Sequence, residues 1–517
     1  MARAAVTIRT WTMLVHRWMG VVFCVLFSVW FVSGIVMMYW RFPRVEPEDR
    51  LVRAAELDAS HIHVALIDAF RSLHSKGVPS QVRLNVLDGR PVYRFVSGRK
   101  SLLVFADNGE RFTGATPEMA LRIASAWTGL PAAAASFEGR ITKDDQWTVY
   151  SSVRPYGPFW KYSWPDGEEV YVSQATGEVV QDTTRGARLG AYFGAIPHWL
   201  YFMWLRSDGS LWTKVVIWLS AVGTVVSILG LVAGIWLYSP SKRYRFASGA
   251  SSIPFVGQKR WHVALGLIFG LVICTWVFSG MMSMGPFSWV SDTNRPNLDR
   301  KLRGDRMDLA AFAVKDPAAA IIEAASGQKV KELELLTFGG EPFYLAIGAK
   351  PSDSALVSMR EGYRPALDSK QILESVSKAA APLSIAQSRV VTSYEAYYID
   401  RQNNKPLPVL YVELNDAARS SFYIDPRTGR VVQSYGDRSR WNRWLYHGLH
   451  SFDLPFLYAY RPAWDIVVLF LMGGGTALCV TSLVIASRRL RRKFLRVPSS
   501  THNDAPDDGM LDLGEIS

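Results

Sequence analysis

Four long apolar runs constrain the fold of this chain more than any other feature of its sequence. They cover approximately residues 15–40, 212–238, 261–284 and 463–486. A helix needs about 20 apolar residues to cross the hydrocarbon core of a bilayer, so each run is long enough to be a membrane span. The first run follows a short basic leader but lacks a small-residue cleavage site, so we interpret it as a retained helix and not as a signal peptide.

Basic residues beside these runs predict the orientation of the chain. The loop between the second and third runs contains Lys242, Arg243, Arg245, Lys259 and Arg260, and a basic cluster in 488–493 follows the fourth run. Such clusters mark cytoplasmic loops. We therefore expect both termini in the cytoplasm, two large periplasmic domains, and a location in the bacterial inner (cytoplasmic) membrane. The net charge of +13 follows this pattern and not an aromatic-basic stripe, so no nucleic acid is expected as a partner.

The remaining composition fits a membrane core with sizeable water-soluble parts, because 49% of residues are hydrophobic and 20% are charged. The cysteines, Cys24, Cys274 and Cys479, all lie within apolar runs, and no two of them form a C-x-x-C motif. A disulfide framework, a zinc site or a thiol redox motif is therefore not expected.

The two long connections between spans are predicted to be α+β domains. Helices are expected at 61–76 and 308–326, and strands at 82–86, 92–96, 102–105, 169–173, 343–347 and 409–413, with turns at 107–109 and 174–177. The predicted divisions are 1–44 (N-terminus and first span), 45–190 (first periplasmic domain), 191–240 (interfacial helix and second span), 241–258 (cytoplasmic loop), 259–286 (third span), 287–445 (second periplasmic domain), 446–487 (interfacial segment and fourth span) and 488–517 (disordered cytoplasmic tail).

An internal repeat relates the two halves of the chain. The segment His-Arg-Trp-Met-Gly at 16–20 corresponds to His-Val-Ala-Leu-Gly at 262–266, and Ser33-Gly34 corresponds to Ser279-Gly280 at the same offset of 246 residues. Farther along, an ungapped offset of 252 residues relates 171–212 to 423–464. Each half consists of a helix, a soluble domain and a second helix. Both halves are predicted to start on the same side of the membrane, so the repeat is parallel. The predicted fold is a membrane α-helical, four-helix transmembrane bundle from a tandem parallel repeat, with two periplasmic α+β domains.

The repeat sorts the histidines into two pairs. His16 and His262 lie near the cytoplasmic ends of the first and third spans, and His198 and His450 precede the second and fourth spans on the periplasmic side. Two imidazoles at one membrane depth suit the axial ligation of b-type haem iron. A histidine at a helix end is also common as an interfacial residue. His447 is an alternative to His450, because it lies three residues earlier on a predicted helix and can face the same side.

Further residues on the odd spans fit such a site. In each span a helical stripe starts at the histidine and continues through Gly20 or Gly266, where a glycine one turn away leaves room for a porphyrin plane. The same glycines and aromatics also suit ordinary helix packing. Arg17 and Arg260 are candidates for pairing with haem propionates, with membrane anchoring as the alternative.

The sequence resembles the PepSY-associated transmembrane family of iron-regulated bacterial inner-membrane proteins. The features that carry this resemblance are the segment at 16–20, the two Ser-Gly pairs, and the strand-turn-strand segments at 171–180 and 422–432, which look like the ends of PepSY domains. The family includes di-haem reductases of ferric siderophores. The resemblance therefore implies haem b, two per chain, held by His16 with His262 and by His198 with His450 or His447.

The resemblance also implies partners. Electrons would pass from the cytoplasmic side to a ferric siderophore or ferric chelate in the periplasm, making the protein an oxidoreductase active in iron uptake. About 24 residues follow Lys493, too few for a reductase domain, so the donor is expected to be a separate protein, a flavin or membrane quinol. The aromatic-basic segment 147–164 is one candidate contact surface for the chelate. The alternative interpretation of this segment is a strand pair packed on the domain core.

Two other functions remain open: a non-catalytic PepSY protein that binds a periplasmic peptidase or envelope partner, and a small-solute or metal transporter.

Overall fold

The computed structural model of the protein describes residues 2–75, 77–98, 100–287, 296–304 and 307–494. Residues 495–517 of the predicted disordered tail lie outside the described residues. The chain forms two compact units. The helical unit comprises Met1–Phe42, Gly190–Ser288 and Asn442–Ser517, and the soluble unit comprises Pro43–Leu189 and Trp289–Trp441.

The α-helices are, in chain order, α1 Ala2–Met37, α2 Pro47–Arg53, α3 Leu66–Ser72, α4 Pro117–Thr128, α5 Arg185–Phe193, α6 Ala195–Trp199, α7 Met203–Arg206, α8 Gly209–Leu237, α9 Gly257–Met282, α10 Leu298–Arg303, α11 Pro317–Ala325, α12 Ser369–Ala380, α13 Asp437–Asn442, α14 Leu449–Ser451, α15 Pro455–Tyr458 and α16 Arg461–Phe494. A π-helix covers Arg443–Gly448. Short 3₁₀ turns cover Ala59–His61, Ala132–Ala134, Arg154–Tyr156, Leu309–Phe312 and Pro351–Asp353.

The strands are β1 Gln81–Leu87, β2 Arg90–Ser97, β3 Lys100–Phe105, β4 Ser136–Ile141, β5 Phe159–Ser163, β6 Glu169–Ser173, β7 Val179–Thr183, β8 Tyr244–Phe246, β9 Gly249–Ser251, β10 Glu332–Phe338, β11 Glu341–Ile347, β12 Ser354–Ser358, β13 Gly362–Arg364, β14 Ile385–Val391, β15 Val409–Leu414, β16 Ser421–Asp425 and β17 Arg430–Tyr435.

Four helices of the described chain are long and apolar enough to cross a membrane. They are α1, α8, α9 and α16, with mean hydropathies between 2.1 and 2.4 over their most apolar windows. Their large apolar side chains point outward: Val22, Trp218, Ile268 and Phe470 are each about two-thirds exposed within the protein. Such apolar surfaces can contact lipid without a free-energy cost, whereas their exposure to water is unfavourable. The chain is therefore a membrane protein, and its four predicted spans are confirmed.

The soluble unit is built on a seven-stranded antiparallel sheet with the order β13-β12-β11-β10-β1-β2-β3. Helices α3 and α11 contribute to an apolar core with this sheet, and α10 and α12 contribute to a second core shared with β15 and β16. Two four-stranded sheets, β4-β5-β6-β7 and β14-β15-β16-β17, complete the unit. Helix α4 packs through Ala120 and Ala124 on the first of these sheets. Together with the spans, this architecture is that of a membrane protein with α+β domains.

The seven-stranded sheet joins two segments that the sequence predicts as separate domains, 45–190 and 287–445. Strands β1–β3 form one antiparallel meander and β10–β13 form another. The meanders meet where β1 pairs antiparallel with β10, with Arg83 opposite Glu334. Each meander alone would expose its first strand as an open edge, and this pairing satisfies the backbone groups of both.

A buried ion cluster lies at this junction. Glu178 accepts a hydrogen bond from Arg50 (Nη1 to Oε1, 3.2 Å) and is also close to Arg83 (3.7 Å) and Arg94 (3.8 Å). Burial by itself would raise the pKa of the Glu178 carboxyl, but the three guanidinium groups together lower that pKa to about 2. On the other strand of the junction, Arg430 binds Glu334 at 2.6 Å.

The predicted Thr-Gly turns are present and require glycine. Gly177 and Gly429 adopt φ values of +67° and +65°, a region that L side chains rarely occupy. A Cβ at Gly177 would also lie 2.7 Å from Leu87, and one at Gly429 would lie 2.8 Å from Phe338. The turns therefore pack tightly on the seven-stranded sheet, which explains why a glycine occurs at this position in both halves.

Several predicted elements differ in extent. The predicted helix at 61–76 is a 3₁₀ turn followed by α3, and the one at 308–326 is a 3₁₀ turn followed by α11. Helix α11 starts where it does because Asp316 caps it and Pro317 occupies its first position. In segment 147–164, Trp147, Phe159, Tyr162 and Trp164 are buried and β5 belongs to a sheet, so these side chains belong to the domain core.

Candidate functional site

The helical unit brings His16 of α1 and His262 of α9 together. Their ring centroids are 6.3 Å apart and their planes are inclined by 36°. Two imidazoles that bind one metal ion from opposite sides, with metal–nitrogen bonds of about 2.0 Å, place their ring centroids about 6 Å apart. The spacing of this pair is therefore that of two ligands with one metal ion between them.

His16 lies directly on the backbone of α8. Its Nδ1 is 3.0 Å from the carbonyl oxygen of Val226, and a Cβ added to Gly230 would be only 2.4 Å from the His16 ring. His262 instead meets two hydroxyls of α16, with Nδ1 at 3.3 Å from Thr481 Oγ1 and 3.2 Å from Ser482 Oγ. His262 also hydrogen-bonds to the backbone of Leu478, which the 252-residue offset matches to Val226. The two sides therefore share the backbone bond and differ where Ser482 replaces Gly230.

The second pair, His198 of α6 and His450 of α14, has the same spacing. The ring centroids are 6.1 Å apart, with planes inclined by 61°. Nδ1 of His198 is 3.1 Å from the Trp30 carbonyl oxygen, and Nδ1 of His450 is 3.2 Å from the Trp276 carbonyl oxygen. Ser33 and Ser279, one on each odd span, place their hydroxyl oxygens 3.2 and 3.1 Å from these Nδ1 atoms.

The short helices that carry His198 and His450 are held in matching ways. The second residue after each histidine, Leu200 or Phe452, is left-handed, with φ of +53° or +51°. The indole of Trp212 donates to the carbonyl oxygen of Trp199 at 2.8 Å, and that of Trp464 donates to the carbonyl oxygen of Ser451 at 2.9 Å. The turn and the indole bond together fix each histidine segment to the helix that follows it.

Hydrogen bonding fixes the tautomer of all four rings. A carbonyl oxygen only accepts, so Nδ1 of His16, His198 and His450 must carry the hydrogen. For His262 the same follows, because Thr481 and Ser482 both donate their hydroxyl hydrogens to the Leu478 carbonyl oxygen and can only accept from Nδ1. The lone pair of each ring therefore lies on Nε2, which has no hydrogen-bond partner among the described residues. A ring bound through Nδ1–H to protein oxygen and free at Nε2 is the usual form of a metal-binding histidine.

Two glycines beside the first pair have open space next to them. A Cβ added to Gly20 or Gly266, each one turn from a histidine, would meet no atom within 4 Å. Deeper in the bundle, the buried indole Nε1 atoms of Trp30 and Trp276 have no hydrogen-bond partner within the described part of the chain. Buried donors are nearly always satisfied, so acceptor atoms from a bound group would complete them. The residues present therefore fit a haem group.

The remaining predicted site residues lie outside the two pairs. His447 is half-exposed, lies 3.8 Å from the Asp453 carboxylate and contacts the Tyr446 ring. The ring that pairs with His198 is that of His450. Arg17 and Arg260 are exposed, and over the described ranges neither makes a hydrogen bond or ion pair. His61, His63 and His74 are exposed in the soluble unit, and His502 lies outside the described residues.

The two pairs are well separated along α1. His16 belongs to the first pair, and Gly34, whose Cβ would lie 3.3 Å from His198, marks the second. At a rise of about 1.5 Å per residue, these positions are about 27 Å apart along the helix axis. This distance is close to the thickness of the hydrocarbon core, about 30 Å.

Comparison with protein families gives a match that covers most of the chain. The model of the PepSY-associated TM region matches residues 13–332 and again residues 259–505. The chain belongs to this family. The two family matches begin three residues before His16 and three residues before His262, respectively. No curated protein matches the chain.

Sequence reasoning missed the residues that support the first pair on the even spans. Gly230, Val226, Thr481 and Ser482 lie in apolar helices where many positions have similar composition. The repeat offset pairs Gly230 with Ser482, but a glycine facing a histidine cannot be recognised before the helix faces are known. The serines of the Ser-Gly motifs are visible in the sequence as repeated residues, and their contacts with His198 and His450 give them a structural role.

Proposed function

We propose that this PepSY-family protein is an inner-membrane b-type di-haem protein that passes electrons across the bilayer and reduces a ferric siderophore or ferric chelate. The observation that supports this most strongly is the pairing of four histidines into two sites, each with ring centroids about 6 Å apart. In this proposal His16 and His262 hold one haem, and His198 and His450 hold the other.

Two histidines per site suit haem better than a bare metal ion. Among the described residues no group of three or more His, Cys, Asp or Glu side chains is arranged to hold a metal. A porphyrin supplies four equatorial nitrogens of its own, so two axial imidazoles complete the coordination of its iron. Haem b, when bound, supplies one-electron redox chemistry. Bis-histidine ligation leaves no open coordination position, which favours electron transfer over oxygen chemistry.

The chain's own residues orient and protect such a group. The Nδ1–H bonds to carbonyl and hydroxyl oxygens fix the ring planes and raise the basicity of the ligands. Buried apolar side chains between the two pairs, including Phe31, Phe269 and Trp276, exclude water from the centre of the bundle. The tandem parallel repeat proposed from the sequence relates the two histidines within each pair, so that each half of the chain would supply one ligand to each haem.

The orientation of the two sites in the proposal follows from the charge distribution. The basic loop between α8 and α9 would face the cytoplasm, which puts the His16–His262 pair on the cytoplasmic side and the His198–His450 pair on the periplasmic side. Reduction of ferric to ferrous iron weakens its binding to hard oxygen chelators, because the less charged ion is softer. The donor would be a separate cytoplasmic protein, a flavin or membrane quinol.

A liposome assay tests this function. The purified protein is inserted into liposomes that enclose a membrane-impermeant reductant, and a ferric hydroxamate chelate with a ferrous-specific dye is added outside. We expect dye-bound ferrous iron to appear outside for the wild type and to be lost in His198→Ala and His262→Ala. His61→Ala and His63→Ala, which change exposed histidines of the soluble unit, serve as matched controls and should retain the activity.

The outcomes separate the alternative functions. A non-catalytic PepSY protein would give no ferrous iron above the rate of empty liposomes. A transporter would move iron or solute into the lumen without reducing the external chelate. Either result with a haem-loaded, correctly inserted protein would contradict the proposed reductase.

A further inference from the structure

We propose that Ser33 and Ser279 are positioning residues that set the ring orientation and the reduction potential of the His198–His450 site. This inference rests on the proposed function, because it assigns these serines a role toward the group that the pair would hold. Both serines are fully buried, with 1% and 0% of their surface exposed. Each lies on an odd span directly before a glycine that the histidine ring approaches, Gly34 or Gly280.

Each serine hydroxyl lies within hydrogen-bond distance of both a tryptophan carbonyl oxygen and a histidine Nδ1, and these two atoms also lie within hydrogen-bond distance of each other. The Ser33 hydroxyl donates to the Trp30 carbonyl oxygen at 3.2 Å, and its oxygen is 3.2 Å from His198 Nδ1. Nδ1 is itself 3.1 Å from the same carbonyl. Because the hydroxyl hydrogen is directed to the carbonyl, the hydroxyl oxygen is left to accept from Nδ1–H.

The arrangement around Ser279 has the same form. Ser279 donates to the Trp276 carbonyl oxygen at 3.0 Å, and its oxygen lies 3.1 Å from His450 Nδ1. The Nδ1 atom is 3.2 Å from that carbonyl. The two halves of the chain thus build the same arrangement twice around one site. At the other site only one of the two rings has this arrangement: His262 bonds to the Leu478 backbone and contacts the Thr481 and Ser482 hydroxyls, whereas His16 has the Val226 carbonyl without a hydroxyl.

Two acceptors on one Nδ1–H have two consequences. They limit rotation of the imidazole about its bond to Cβ, so they hold the 61° angle between the two ring planes. They also draw the Nδ1 hydrogen away from the ring, which makes Nε2 a stronger electron donor and stabilises the ferric state of a bound iron. Loss of one acceptor should therefore favour the ferrous state.

The test uses the haem-loaded full-length protein with Ser33→Ala, Ser279→Ala and the double variant. At a fixed applied potential, we expect the ferrous-to-ferric ratio of one of the two haems to rise about threefold or more in each single variant, and further in the double variant. The low-spin ferric resonance signal of the same haem, which depends on the angle between its axial ligands, should shift. Ser33→Thr keeps the hydroxyl and should restore both readouts.

Matched controls exist on the same two helices. The Ser28 hydroxyl donates a hydrogen bond to the backbone carbonyl oxygen of Cys24, and the Ser283 hydroxyl donates one to that of Gly280. Among the described residues neither serine forms a hydrogen bond to a histidine. Ser28→Ala and Ser283→Ala should leave both haems unchanged. An unchanged or decreased ferrous-to-ferric ratio in Ser33→Ala and Ser279→Ala, with two haems still bound, would overturn the inference. So would an equal shift in the controls.

Failure of this inference is distinguishable from failure of the proposed function. Absence of haem from the wild-type protein would contradict the di-haem proposal itself. Two haems in the wild type, together with serine variants that behave like the controls, would leave the di-haem proposal intact and remove only the role of the serines.

Discussion

At the scale of single residues, the open space beside Gly20 makes a direct prediction. A Cβ at this position would meet no protein atom within 4 Å, so we expect Gly20→Leu to fold and insert. If a porphyrin occupies this space one turn from His16, the leucine should displace it. We expect one of two haems to be lost, measured by the haem absorbance per protein after purification.

Gly473 offers the control for this substitution. It lies in the fourth span, and a Cβ there also meets no atom within 4 Å, but it is not one turn from a paired histidine. Gly473→Leu should keep both haems. Full haem content in Gly20→Leu, or equal losses in the two variants, would show that the space beside Gly20 is not used by haem.

His447 and His450 lie three residues apart but differ in their surroundings. His450 is 6.1 Å from His198 by ring centroid, whereas His447 is half-exposed beside Asp453. We predict that His450→Ala loses one haem and that His447→Ala keeps two, as counted by the optical spectrum of each purified variant. Loss of haem in His447→Ala with retention in His450→Ala would reverse the assignment.

The paired histidines could be predicted from sequence because the offset between the halves relates His16 to His262 and His198 to His450. The residues that contact and hold these histidines could not be predicted. The role of Gly230 depends on the face of α8 that meets His16, and that face follows from the packing of four helices with nearly uniform apolar surfaces. The serines of the Ser-Gly motifs were visible as repeated residues, but their bonds to histidines about 170 residues away appear only in three dimensions.

At the scale of secondary-structure elements, the junction of β1 and β10 depends on buried charges. Glu178 has its pKa lowered to about 2 from an ordinary value of 4.5 by Arg94, Arg83 and Arg50, which outweigh the effect of burial. A carboxyl with a lowered folded-state pKa contributes stability above its unfolded pKa and loses it as the pH falls through the folded value. This contribution should therefore be complete above about pH 4.5 and disappear toward pH 2.

Glu178→Gln tests this contribution. Removing one partner of a buried ion cluster leaves the others unpaired, so we expect the variant to lose about 3 kcal/mol of stability at neutral pH. Thermal unfolding of the full-length protein between pH 7 and pH 2 is the measurement. The difference between wild type and variant should shrink below pH 4.5.

The control for this experiment is the exposed pair of Glu56 and Lys329. Glu56→Gln should leave the stability almost unchanged at every pH, because water screens exposed ion pairs. A difference between wild type and Glu178→Gln that stays constant across the whole pH range would contradict the ionic role of Glu178.

Elements with strong local patterns were predicted well. The strands at 82–86, 92–96 and 409–413 lie within β1, β2 and β15, and all four spans are present. The joining of the two meanders in one sheet was not predicted. Arg83 and Glu334 lie opposite each other although they are about 250 residues apart in the chain, and no local pattern in either strand indicates its partner across that distance.

At the scale of the whole molecule, the proposed function needs two separate redox sites in one bundle. The two histidine pairs lie about 27 Å apart along α1, as estimated from the helical rise, and each pair has the spacing of two axial ligands. A single site would suffice for a sensor or a structural haem protein, whereas transfer across a membrane requires a site near each face.

The haem content of the purified protein tests this account most directly. The protein is purified in detergent after growth with haem supplementation, and its reduced spectrum and haem-to-protein ratio are measured for the wild type, His262→Ala and His198→Ala. The account predicts b-type absorbance bands with two haems in the wild type and one in each variant. A wild-type protein without these bands, or variants that both retain two haems, would contradict it.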